Sequence, residues 1–142
     1  MKTVKQLLQG KTRGLCTIGP DARVIDALKL MAEKDIGALP VVENEKLVGI
    51  VSERDYARKV VLLGRSSHDT QVREIMIGRA VCVQLGNTTE ECMALMTDKH
   101  VRHLSVIENE KLLGILSIGD LVKETISEQQ FTIRQLESYI HS

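Results

Sequence analysis

Two short stretches of this 142-residue chain place glycine, serine and aspartate at the same spacing: Gly49-Ile50-Val51-Ser52-Glu53-Arg54-Asp55 and Gly114-Ile115-Leu116-Ser117-Ile118-Gly119-Asp120. A serine at a helix N-cap with a carboxylate three residues on is a helix-start signal worth about 1 kcal/mol, and it needs no ligand. The same residues have a second use. The first turn of a helix offers unpaired N–H groups and the positive end of the dipole, and a hydroxyl there bonds a phosphate oxygen. An ionised carboxylate only accepts hydrogen bonds, so Asp55 and Asp120 suit the vicinal hydroxyls of a ribose rather than a phosphate. Gly49 and Gly114, lacking Cβ, leave room for a flat base at the strand end.

Catalysis is not indicated. Ser52 lacks a Gly-x-Ser-x-Gly elbow and reads as a cap rather than an activated nucleophile. Neither a Walker-type phosphate loop nor Gly-x-Gly-x-x-Gly opens any helix. His100 and His103 have i, i+3 spacing, but His103 falls beyond its helix and His100 belongs on the surface at the helix end, so no metal site is expected. His68 and His141 carry no readable role. Cys16, Cys82 and Cys92 are odd in number and without Cys-x-x-Cys spacing, which points to buried, reduced thiols.

The elements that position these residues follow from an internal repeat. At an offset of 65, Met31 to Asp55 and Met96 to Asp120 are identical at 13 of 25 positions, and Glu43-Asn44-Glu45-Lys46-Leu47 recurs unchanged as Glu108-Asn109-Glu110-Lys111-Leu112. Upstream, Val4 to Leu8 resembles Val72 to Met76 at an offset of 68. Leu15 to Ile18 predicts a short strand, and Val24, Ala27, Leu28, Met31 and Ala32 then fall on one helical face. Thr88 with Glu91 has capping-box spacing, so Asn87 or Thr88 opens the matching helix. Leu39 to Val42 and Leu47 to Val51, joined by a charged tetrapeptide, predict an antiparallel hairpin, and Leu104 to Ile107 with Leu112 to Leu116 predict its copy. A helix over Arg54 to Leu63 follows the first hairpin, and a helix from Gly119 follows the second. Leu121 to Ile140, with Val122, Ile126, Ile133, Leu136 and Ile140 as a partly periodic apolar stripe, predicts a long terminal helix that packs on the module or on a partner chain.

The fold expected is therefore α/β (α+β): two β-α-β-β-α repeats, at 1–64 and 72–125, joined by a linker at 65–71 and followed by a helical tail at 126–142. A repeat of this size buries too little surface to stand alone, so the two should share a core. Lysine plus arginine and aspartate plus glutamate number 19 each, so the net field gives nucleic acid no purchase, and a single Phe, two Tyr and no Trp leave no stacking platform for bases. No apolar run is long enough for a membrane span and no export signal opens the chain, which makes the cytoplasm the expected compartment.

A tandem strand–helix–strand–strand–helix unit whose apolar strand runs into Gly-x-x-Ser-x-x-Asp resembles the CBS-domain family, named after cystathionine β-synthase, from about Val4 to Val122. The resemblance implies a pseudo-twofold pair of repeats, a Bateman module, with two clefts that often hold adenosyl ligands: AMP, ADP, ATP or NAD, and less readily S-adenosylmethionine. It carries Ser52 and Asp55 into one cleft with Ala80, Val81, Cys82, Arg102 and His103, and Ser117 and Asp120 into the other with Leu15, Cys16, Thr17, Ile36, Gly37 and Ala38. Arg54, Arg102 and His103 suit phosphate, whereas Gly37 and Ala38 supply no charge, so the Asp55 cleft should prefer a phosphate and the Asp120 cleft a nucleoside part or nothing. The function this implies is adenine-nucleotide sensing without catalysis and without a required cofactor, in a homodimer acting on an unidentified client protein. The alternative is a nucleotide-independent scaffold or redox-linked adaptor.

Overall fold

The structure is a computed structural model that describes residues 2–11 and 14–141. Helix α1 (Val4–Gln9) and helix α2 (Val24–Lys34) precede the hairpin of β1 (Ala38–Glu43) and β2 (Lys46–Ser52). Helix α3 (Glu53–Tyr56) continues as a π-turn over Ala57–Val61, and a 3-10 turn (Val72–Glu74) leads to β3 (Cys82–Val83). Helix α4 (Thr89–Lys99), strands β4 (His103–Glu108) and β5 (Lys111–Ser117), and helix α5 (Ile118–His141) complete the chain.

The predicted hairpins form, with a tighter connection than a tetrapeptide. Strand β1 pairs antiparallel with β2 from Ala38 opposite Ser52 to Glu43 opposite Lys46. Only Asn44 and Glu45 remain as the turn, with φ of 52° and 65°, and Asn109 and Glu110 repeat this at 51° and 65°. Two consecutive left-handed residues match the right-handed twist of the flanking strands, as a two-residue I′ turn requires.

Two sequence-based expectations need correction. Leu15 to Ile18 forms no regular strand: one parallel bridge joins Ile18 to Val41, with Ile18 N donating to Pro40 O and Val42 N to Ile18 O. Gly14 and Gly19-Pro20 bracket the stretch, and Pro20 has no N–H with which to extend the ladder. Its counterpart β3 reaches only two residues, parallel to Ser105 and Val106 of β4, so the sheets are β1–β2 and β3–β4–β5. The helix expected over Arg54 to Leu63 is α-helical for only one turn. Beyond it Leu62 N donates to Ala57 O, five residues back, and this wider turn keeps Val60 buried while Val61 and Leu62 face outward.

Helix α4 carries the expected start. Thr88 caps α4 in a capping box with Glu91, and His100 closes it in the left-handed conformation, exposed. Helix α2 has no side-chain N-cap, and Asp35 closes it at φ 54°.

The chain forms two compact units. One contains Gly14–Ala80 and Glu108–Leu113; the other contains Met1–Arg13, Val81–Ile107 and Gly114–Ser142. In the first, Val24, Ala27 and Met31 of α2 bury against Leu39, Val41 and Val51 of the hairpin, with Val60, Val72 and Ile75. In the second, Val4 of α1 joins Val83, Cys92, Met96, Leu104, Val106, Leu116 and Leu121, with Leu7 and Leu8 against them.

The segments that precede each repeat dock by one rule. Val4 N donates to Asn87 O and Lys5 N to Leu85 O; in the other unit Val72 N donates to Ala22 O and Arg73 N to Pro20 O. The acceptors are separated by 65 residues and the donors by 68, so each opening segment satisfies its free backbone N–H groups on the loop before a helix of the unit it joins. The compact units thus cut across the chain order of the repeats.

Candidate functional site

Ser52 ends β2 and caps α3. Its N–H and its hydroxyl both donate to Asp55 Oδ2, at 2.9 Å each, and Ser52 Oγ accepts from Asp55 N at 3.2 Å. Asp55 is buried, and its second oxygen, Oδ1, lies 3.3 Å from Lys59 Nζ, one turn further on. Lys59 also donates to Ile75 O at 2.9 Å. The serine hydroxyl is therefore spent on the carboxylate and the cap, an arrangement that positions Asp55 and does not activate Ser52.

The second copy repeats the closure with different openness. Ser117 N donates to Asp120 Oδ2 at 2.8 Å, and Asp120 N donates to Ser117 Oγ at 3.1 Å. Lys11 Nζ reaches the same Oδ2 at 3.0 Å and also donates to Ile115 O at 2.8 Å. Among the described residues Oδ1 of Asp120 accepts nothing, and the side chain is 32% exposed against 8% for Asp55. Half-burial pushes the Asp120 carboxyl up, but the Ser117 N–H and the Lys11 ammonium outweigh it and hold the group below its ordinary range.

Both carboxylates thus sit beside a lysine that the sequence reading passed over. Lys59 was legible, because i, i+4 spacing on a helical turn places it beside Asp55. Lys11 was not: it comes from the loop after α1, 109 residues from its partner.

The remaining candidates divide between the two units. With Ser52, Arg54 and Asp55 lie Leu15, Cys16, Thr17, Ile36, Gly37, Ala38 and Ala80; with Ser117 and Asp120 lie Val81, Cys82, Arg102 and His103. Arg54 and Arg102 are exposed and their guanidinium groups have no partner among the described residues, whereas His103 is half-buried and bonded. Leu15 and Thr17 are exposed, Ile36 and Gly37 half-buried, and Ala38 buried. None of the three cysteines is in a disulfide, but only Cys92 is buried; Cys16 is intermediate and Cys82 exposed, because a two-residue strand covers Val83 on one face and leaves Cys82 on the other. Desolvation raises the thiols of Cys82 and Cys92, so neither is set up as a thiolate.

The two glycines answer to the chain itself. A Cβ on Gly49 would lie 2.6 Å from Ile77 O, and one on Gly114 would lie 2.8 Å from Leu8 Cδ2. Their missing side chains admit the segment after the 3-10 turn and helix α1, in place of the flat base suggested from sequence. Among the described residues no group of three or more His, Cys, Asp or Glu could hold a metal ion, and no helix is long and apolar enough to cross a membrane.

Comparison with known proteins agrees with the duplicated fold. The CBS domain family matches residues 4–62 and again 72–127. Over 125 residues the chain is 39% identical to the mitochondrial CBS domain-containing protein CBSX3 of Arabidopsis thaliana, covering 84% of this chain and 61% of that protein. It is 30% identical over 129 residues to the CBS domain-containing protein YhcV of Bacillus subtilis, covering 91% and 89%. A solved structure of a protein with CBS domains from Burkholderia ambifaria superposes with a TM-score of 0.87 at 53% identity, covering 93% of this chain and 99% of the other. The chain spans about three fifths of the Arabidopsis relative and nearly all of the Bacillus one.

Proposed function

This chain belongs to the CBS-domain family, and from that premise we propose that it is a non-catalytic regulatory module that binds adenine nucleotides through Asp55 and Asp120. The observation that carries the reading is the duplicated closure of serine on aspartate. In both copies a capping serine fixes one carboxylate oxygen by hydrogen bonds, and the other is either open, as in Asp120, or held by a lysine that a ligand can displace, as in Asp55. An oriented, ionised carboxylate is what the two hydroxyls of a ribose require. A cap alone needs no such lysine, and at Asp120 the Ser117 N–H and Lys11 hold the acid charged against the burial that favours its neutral form.

The two sites are unequal. Arg54 stands exposed two residues after Ser52, with no partner among the described residues, while the corresponding position after Ser117 is Gly119. The Asp55 site is therefore the one that takes a nucleotide with its phosphate, such as AMP, ADP, ATP or NAD, and the Asp120 site takes a nucleoside portion or a weaker ligand. Arg102 and His103, the other donors suited to phosphate by type, are the next residues to substitute. Regulation requires that nucleotide bind two states of the module with different affinity, so that occupancy changes the activity of a client protein. The Burkholderia ambifaria neighbour is described as a candidate signal-transduction protein, in keeping with such a role.

Thermal-shift and calorimetric titration with AMP, ADP, ATP, NAD, NADH and S-adenosylmethionine tests this. Saturation at about 100 times Kd adds about 2.7 kcal/mol of stability. Asp55→Ala is expected to abolish most of the response to AMP, and Asp120→Ala to remove less. No stabilisation by any ligand leaves the scaffold reading; the opposite order of the two variants refutes the phosphate assignment.

A further inference from the structure

Among the described residues, Ser105 Oγ is the only buried side-chain oxygen or nitrogen without a hydrogen-bond partner, and the residue is fully enclosed. An unpaired hydroxyl in a core is unfavourable, so serine must stand in the middle of β4 for another reason. That reason is its backbone. Ser105 N donates to Val81 O at 3.0 Å, and this bond adds the pairing of Cys82 with Ser105 to that of Val83 with Val106. The two pairings together make β3 a strand.

At the repeat offset of 65 the matching residues of the first copy are Cys16 for Val81, Ile18 for Val83, Pro40 for Ser105 and Val41 for Val106. The bridge of Ile18 with Val41 is kept, with Ile18 N donating to Pro40 O at 3.1 Å and Val42 N to Ile18 O at 2.9 Å. The next bond is missing, since Pro40 has no N–H to offer Cys16 O. Pro20 limits the ladder on the far side of Ile18, and Pro40 limits it from the facing strand.

The stretch before Ile18 is left almost unheld. Among the described residues no backbone group of Gly14, Leu15, Cys16 or Thr17 bonds to another backbone group. Gly14, Leu15 and Thr17 are exposed, and Cys16 is half-buried at the edge of the core that Ile18 also touches. Segments with few backbone bonds and few buried contacts are the ones that open locally while the rest of the fold stays closed.

We propose that residues 14–17 form a flap of the first unit, hinged at Ile18 and kept unzipped by Pro40, whereas Ser105 locks the matching segment of the second copy into a fixed strand. Leu15, Cys16 and Thr17, candidate ligand contacts in the sequence, ride on the movable stretch; Val81 and Cys82 ride on the fixed one. The duplicated fold thus holds one adaptable and one rigid version of the same segment, and a single backbone N–H sets the difference. The device does not depend on nucleotide binding.

Amide hydrogen exchange of the full chain, read residue by residue by NMR, tests this. The Ile18 amide reports the flap and the Val83 amide the strand, each referred to a helix-interior amide of its own unit, Met31 in α2 or Met96 in α4. Val83 is expected to exchange about three- to tenfold more slowly than Ile18 on that scale, the factor that one additional hydrogen bond supports. Pro40→Ala supplies the N–H without a hydroxyl and should slow Ile18 by about the same factor. Ser105→Pro should speed Val83, and Ser105→Ala, which keeps the N–H, should leave it unchanged. Circular dichroism controls for the fold, and Pro40→Ala decides the matter alone where Ser105→Pro does not fold. Equal protection of Ile18 and Val83 in the wild type overturns the proposal, as does a folded Pro40→Ala variant with unaltered exchange at Ile18. Faster exchange of Val83 in Ser105→Ala also overturns it, because the lock would then lie in the hydroxyl.

Discussion

Adding one methyl group at each of two matched glycines should have very different consequences. Ordinary contact at a Cβ begins near 3.4 Å, and a Cβ on Gly49 would lie 2.6 Å from Ile77 O and 3.0 Å from Met76 Sδ. The Ile77 carbonyl must then retreat by about 0.8 Å, the difference between 3.4 and 2.6. That carbonyl accepts from Ile50 N at 3.0 Å, and Ile77 N donates to Ile50 O at 2.8 Å, so the retreat stretches both bonds of the bridge. Overpacking costs about 1–3 kcal/mol, and each weakened bond contributes about 0.5–1.5 kcal/mol. After the about 0.5–1 kcal/mol that alanine gains over glycine inside a strand, Gly49→Ala is therefore expected to cost about 1–5 kcal/mol. At Gly114 the nearest atom is Leu8 Cδ2, the end of a side chain that can rotate away, and alanine gains about 0.5–1 kcal/mol over glycine inside a strand. Gly114→Ala should stay within about 1 kcal/mol of the wild type. Neither glycine has a positive φ, so backbone conformation does not confuse the comparison. Urea unfolding followed by far-UV circular dichroism measures both, with the m-value as the check that the unfolded states are alike. A Gly49→Ala variant within 0.5 kcal/mol of the wild type, or a Gly114→Ala variant that loses more, would refute the reasoning about what the glycines admit.

Two further outcomes follow from the carboxylate closures. Asp120 titrates below its ordinary value of 3.8 in the folded protein, so its contribution to stability is complete above that value and is lost as pH falls through the folded one. Asp120→Asn should flatten the stability curve below about pH 4 and leave its slope near neutrality unchanged; an acid limb of wild-type steepness counts against the Lys11 and Ser117 contacts. Lys59→Met leaves the buried Asp55 Oδ1 and Ile75 O unsatisfied and should cost about 1–2 kcal/mol, whereas Lys11→Met, beside the more exposed Asp120, should cost less. The reverse order in chemical denaturation shows that burial of the carboxylate is not what sets the cost.

Most of the fold was readable because its signals are local. The hairpins rest on Val- and Leu-rich runs around Asn44-Glu45 and Asn109-Glu110, α4 on Thr88 and Glu91, and the Ser-x-x-Asp caps on spacing within one turn. The misses lie where periodicity carries no information. Leu15 to Ile18 is apolar enough for a strand, yet the neighbours that limit it to one bridge are a glycine and a proline. The π-turn after Tyr56 comes from packing Val60 inward, which a helical pattern does not distinguish from an ordinary turn.

The sequence by itself determined the duplication, the two capped aspartates, the balanced net charge and scarcity of aromatics, and the apolar stripe of α5, since each depends on residue type and spacing along the chain. Only the tertiary structure decided that each opening segment docks on the loop that precedes a helix of the unit it joins, that Ile77 and Leu8 occupy the space at Gly49 and Gly114, and that Lys11 crosses 109 residues to hold Asp120. These are contacts between surfaces distant in sequence, chosen by shape and by backbone groups in need of partners.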